Sequence, residues 1–84
     1  MQLKRYGPNM AEISAGDGTR ILFSYDEPVA AFLGASRVWV KTAKFFSRTT
    51  AAHVAKWQRE NGAAGLARAV PHDELRALAA SAGP

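Results

Sequence analysis

The sequence predicts an α+β domain, a four-stranded antiparallel meander covered by one helix, with a second short helix at the C-terminal end. Three observations predict it. Between Met10 and Thr42, short apolar runs are separated by tight connections carrying Gly or Pro, the pattern of consecutive antiparallel strands. From Ser47 to Asn61 the period becomes helical, with Ala51, Val54, Ala55 and Gln58 recurring at helical spacing. The chain has 84 residues, enough for one small domain, 1–84, and too few for two.

Gln2 to Tyr6 reads as a short edge strand or an ordered arm, ended by Gly7-Pro8-Asn9. Ala11 and Ile13 alternate with Glu12 and Ser14, which gives a strand from Met10 to Ser14. Gly16-Asp17-Gly18 tolerates the positive φ of a hairpin turn. The next strand spans Thr19 to Tyr25, with Ile21, Phe23 and Tyr25 on one face. Asp26-Glu27-Pro28 interrupts it, because Pro28 has no N–H for a ladder. A third strand from Val29 to Leu33, a turn at Gly34-Ala35-Ser36 and a fourth strand from Arg37 to Thr42 complete a sheet within 1–43.

The helix is expected over 48–61, with Thr49 as its cap and Gly62 as the left-handed residue that ends it. Its apolar side is Ala51, Val54, Ala55 and Trp57, with His53, Lys56, Arg59 and Glu60 opposite. Gly62-Ala63-Ala64-Gly65 reads as a flexible linker. A second helix over 71–82 tolerates Pro71 in its first turn and gains from Asp73 and Glu74 near the positive end of its dipole. Its stripe of Leu75, Leu78 and Ala79 needs cover from the sheet, a partner or a second copy.

Composition removes several function classes. With no cysteine, there is neither a disulfide framework nor a thiolate metal site. No run approaches the ~18 apolar residues of a membrane span, and Lys4, Arg5, Tyr6 and Gly7 stand where a signal peptide would be apolar. The expectation is a soluble cytoplasmic protein with no membrane partner, no metal and no cofactor. Ser24 or Ser47, His53 or His72, and Asp26 or Asp73 supply the residue types of a catalytic triad, but no positioning motif surrounds them. Gly16-Asp17-Gly18 precedes a strand and lacks the later glycine of a phosphate loop. A non-enzymatic protein is expected.

What remains is charge. The formal net charge is +4, and residues 28–59 contain no Asp or Glu. The candidate binding residues are Arg37, Trp39, Lys41, Lys44, Arg48, His53, Lys56 and Arg59. Cations of one sign attract anionic partners, and interleaved Trp39, Phe45 and Phe46 are the residue types that stack on bases. The plain alternative is a solvated face with the aromatics in the core. Trp39 opposes Val38 and Val40 along its strand, so only part of the aromatic set can be exposed. Tyr25 and Trp57 read as core residues, and His53 as a structural or solvated one.

Leu22-Phe23-Ser24-Tyr25 with Pro28-Val29-Ala30-Ala31, then Lys41-Thr42 and Lys44, then Ser47-Arg48-Thr49-Thr50 with His53 and Trp57 form a recurring pattern. The pattern, a strand ending S-Y-x-x-P-V-A and a helix opening S-x-T-T-x-x-H with a Trp four residues on, spans about residues 3–61. It resembles a family of short uncharacterised proteins of phages, plasmids and integrated mobile elements. The segment Gly34 to Trp39 departs from the aromatic or Gly-rich stretch usual there. The resemblance implies a mobile-element context, in which small proteins act as regulators, DNA-binding factors or inhibitors of host defence. Anti-CRISPR proteins are similar in type, being short single domains without cofactors. The function expected is therefore that of a CRISPR–Cas inhibitor which binds an effector complex in the host bacterial cytoplasm through the basic patch. The alternative is direct DNA or RNA binding.

Overall fold

The computed structural model describes residues 2–82. They form β1 (Gln2–Gly7), β2 (Met10–Ser14), β3 (Arg20–Ser24), β4 (Glu27–Leu33), β5 (Val38–Thr42), α1 (Arg48–Glu60), β6 (Arg68–Val70) and α2 (His72–Ala82). The class is α+β, but the sheet is larger than a four-stranded meander. Six strands lie in the order β1-β2-β3-β4-β5-β6, antiparallel as far as β5, with β6 parallel to β5. A parallel neighbour requires a crossover, and α1 provides it. β6 is Arg68-Ala69-Val70, too short for any alternation to show in the sequence.

The cover also differs from expectation. Successive residues of a strand point to opposite faces, and here each face has its own helix. Val54 and Trp57 of α1 pack with Met10, Leu22, Val29 and Ala30. Leu75 of α2 packs with Ile21, Ala31, Val40 and Val70 on the other face. Burial on both faces explains why β4 reads as a continuous apolar run. Pro28 does not break β4: it pairs with Phe23 beside a bulge at Val29, a place in a sheet where a missing N–H is tolerated.

Three local expectations are corrected. The cap of α1 is Ser47, whose Oγ accepts the Thr50 N–H at 3.1 Å, and not Thr49. The segment after α1 is no loose linker, since Ala63 is fully buried and donates its N–H to the Gln58 carbonyl at 2.7 Å. Tyr25 is not in the core: it lies in the β3–β4 turn with φ 58° and is 52% exposed. Gly62 does take the left-handed conformation expected, at φ 68°.

Gly34 is required for space. A Cβ there would lie 2.7 Å from both Gly18 C and Thr19 N and would also strike the Asp17 carbonyl oxygen. This contact joins the β2–β3 and β4–β5 turns, and Thr19 Oγ1 accepts the Gly34 N–H at 3.0 Å across it. Gly34→Ala is therefore expected to lower stability by about 2–3 kcal/mol in a urea melt, through forced backbone movement. An unchanged midpoint would mean that the two turns separate freely.

Tyr25→Gly should behave in the opposite sense. Left-handed strain of ~1–2 kcal/mol is relieved, against ~1 kcal/mol of chain entropy gained by the unfolded state. The expected melt is unchanged or slightly higher. A loss above about 2 kcal/mol would show that the ring contributes packing of its own.

Candidate binding face

Ser24, distant in sequence from Thr50 and His53, meets them at the junction of β3 and α1. Ser24, only 2% exposed, has its Oγ 3.0 Å from Thr50 Oγ1 and 2.8 Å from His53 Nδ1. Thr50 is also the residue whose N–H the Ser47 cap receives. One helical turn further, Trp57 donates its indole N–H to Glu12 Oε1 at 2.8 Å. A Ser and a His in contact invite a catalytic reading. Here the hydroxyl is buried and shared with a threonine, and no carboxylate is bonded to His53 among the described residues. The cluster joins a helix to a strand.

Glu12 is the part of this junction that sequence reasoning missed. It is 4% exposed in the cross-strand row Lys4–Glu12–Leu22–Ala30, beneath α1. Besides the Trp57 N–H it accepts the Tyr6 hydroxyl at 3.3 Å, and Arg20 Nη1 lies 3.7 Å away. Arg20 continues the junction. Its guanidinium lies 5.3 Å from the Phe32 ring centre and 5.1 Å from that of Trp39, and Nη1 donates to Asn61 Oδ1 at 2.8 Å. Alternation sets Glu12 opposite Ala11 and Ile13, on the polar side of β2, so nothing in the sequence marked it as buried.

The candidate binding residues divide accordingly. Trp39 stands at ring-centre distances of 4.7 Å from Phe32 and 5.2 Å from Trp57 and belongs to the α1-side core. His53 is half-buried and occupied by Ser24. Arg37 is exposed in the β4–β5 turn with φ 56°, at the far end of β5 from Lys44. Lys41, Lys44, Arg48, Lys56 and Arg59 are exposed. None of these cations forms an ion pair among the described residues, where Arg20 pairs with Glu12 and His72 Nε2 lies 3.6 Å from Glu27 Oε2.

Arg48, Ala52, Ala55 and Arg59 follow one line of α1 on the side away from Trp57, with Lys56 beside them. This line is exposed along all 13 residues of the helix, about 20 Å. Ala51 and Ala55, expected on the apolar side, are exposed; Thr50 and Gln58 are buried with Val54 and Trp57 instead. Beside the start of α1 lies a groove of about 220 Å³ lined by Lys41, Lys44, Phe45, Phe46, Ala51 and Val54, among others. Phe45 is 71% exposed, whereas Phe46 packs on His72 at 4.8 Å between ring centres. Of the three aromatics expected to stack on a partner, Phe45 is the one left free to do so.

Among the described residues there is no group of His, Cys, Asp and Glu able to hold a metal ion, and no helix long and apolar enough to cross a membrane. The model of a family of unknown function, DUF8033, matches residues 1–73, and the chain belongs to that family. No curated protein and no solved structure matches it.

The Glu12–Trp57 bond makes a measurable claim about the junction. Glu12→Ala is expected to lower stability by about 3 kcal/mol, since it leaves the indole N–H buried without an acceptor. In a double-mutant cycle with Trp57→Phe, a coupling above about 1 kcal/mol is expected. Additive effects would show that the two groups do not act together.

Proposed function

We propose that this member of the family acts by stoichiometric binding, not by catalysis, and that it presents the outer face of α1 and the adjoining 43–47 loop to an anionic macromolecular surface. The observation that carries this is the division of α1. Its inner polar residues Thr50, His53 and Trp57 are engaged in hydrogen bonds to the sheet, while Arg48, Lys56 and Arg59 face outward without an ion pair among the described residues. Unpaired cations on a rigid helix steer anionic partners and make association depend on salt. Against catalysis stand the burial of Ser24 and the absence of a carboxylate to orient His53 among the described residues.

The mobile-element context that the sequence resemblance implies is what favours a CRISPR effector complex as the proposed partner. A CRISPR effector complex is a ribonucleoprotein with anionic and acidic surfaces, and an inhibitor needs only to occlude one of them or compete with target DNA. Packing of Trp39 and Phe46 weighs against base stacking on a single strand, one form of the runner-up, direct DNA or RNA binding, because it removes most of the stacking platform.

The test is capture of a purified effector complex by the immobilised protein, with and without nuclease, beside direct titration with DNA and RNA. Nuclease-resistant capture is expected, together with weak binding of free nucleic acid. The triple variant R48E/K56E/R59E should weaken capture at least about tenfold, with its circular-dichroism melt nearly unchanged because all three residues are exposed. Binding of DNA or RNA alone, with a steep salt slope, would replace the inhibitor with the nucleic-acid binder. Capture unaffected by the triple variant would remove the outer face from the function.

A further inference from the structure

The groove beside the start of α1 has a chemistry that selects its occupant. Its apolar surface comes from Phe46, Ala51, Val54 and the exposed flank of Phe45. The hydroxyls of Thr42 and Thr50 are engaged within the protein, and that of Ser47 as an acceptor. Thr42 Oγ1 lies 3.1 Å from His72 Nδ1 and accepts the Lys44 N–H at 3.1 Å. Ser47 Oγ accepts the Thr50 N–H at 3.1 Å, and Thr50 Oγ1 lies 3.0 Å from Ser24 Oγ. A nucleobase inserted here would find only the Ser47 O–H with a bond still to make, too little to match its polar edge, and unmatched polar groups are costly to bury. An aliphatic or aromatic side chain loses nothing on entry. Lys41 and Lys44 border the same groove, Arg48 stands next to its lining residue Ser47 at the first turn of α1, and among the described residues no carboxylate lines it.

We propose that this groove receives one large apolar side chain from an acidic segment of a partner protein, with the segment's carboxylates lying against Lys41, Lys44 and Arg48. Charge complementarity places the acids and the apolar floor places the anchor, the arrangement of a small hot spot with a polar rim. This rests on the reading of the basic face as a binding surface, and narrows its partner to a protein.

The experiment is fluorescence anisotropy of the full chain with labelled Asp/Glu-rich peptides carrying one central Leu, Phe or Ala, and with an oligo-dT of equal length. The Leu or Phe peptide is expected to bind about tenfold more tightly than the Ala peptide, and more tightly than the oligo-dT at the same salt. Ala51→Trp, which fills the groove from an exposed helical position, should abolish that preference without moving the melt. If it does move the melt, Phe45→Ala at the exposed rim serves in its place. Equal binding of the Leu, Phe and Ala peptides, no peptide binding, or preference for oligo-dT overturns the proposal. K56E/R59E lies away from the groove and should keep the peptide preference while capture of the effector complex falls. Failure of the groove therefore leaves the outer face to be judged by capture, and failure of capture leaves the groove to be judged by peptides.

Discussion

A buried carboxylate sets the orientation of this molecule. Glu12 occupies a core row of the sheet, where an unpaired charge would be untenable, and it is stabilised by the Trp57 indole, the Tyr6 hydroxyl and the nearby Arg20 guanidinium. Those partners come from α1, β1 and β3. The bond from Trp57 is directional, so it fixes the rotation of α1 about its own axis as well as its position. Once Trp57 points at Glu12, Arg48, Ala52, Ala55 and Arg59 have to point away from the sheet. The outward basic line is thus a geometric consequence of an inward acid.

The other constraint is the crossover. β5 must end, turn through the 43–47 loop, send α1 across one face and return as β6 beside β5. The Ala43 N–H donates to the Val70 carbonyl at 2.8 Å, so the loop is tied to the strand that the crossover creates. Thr42 and His72 add a second tie, from the end of β5 to the start of α2. The groove lies where these ties meet the capped first turn of α1. Its walls are held from both ends, which makes it a preformed feature and lowers the ordering cost of any partner that uses it.

Much of this was legible in the sequence, and the limits have physical reasons. Alternation and turn residues placed β2, β3, β4 and β5, and the helical period placed α1 and α2, because each signal is local. Periodicity separates two faces but does not say whether one or both are covered, so the second layer was missed. β6 is shorter than a period can register. Alanine is accepted inside and outside a helix, so the apolar stripe of α1 was assigned to Ala51 and Ala55 when the buried residues beside Val54 and Trp57 are Thr50 and Gln58. Those polar residues enter the interior through tertiary contacts: Thr50 bonds Ser24 across 26 residues, as Trp57 bonds Glu12 across 45. No window along the chain contains both partners.

The same reasoning separates structural from functional chemistry in the recurring pattern. Ser24, Thr50, His53 and Trp57 all belong to the pattern quoted from the sequence, and in space they bond to one another or to Glu12. Ser24, Thr50 and Trp57 thus direct their polar atoms into the fold, and His53 does so through Nδ1. Lys41, Lys44, Arg48, Lys56 and Arg59 are instead exposed and free of ion pairs among the described residues. A loss of binding on altering Ser24 or His53 would therefore report first on the α1–β3 junction. Loss on altering the exposed cations, with the fold intact, would report on the partner.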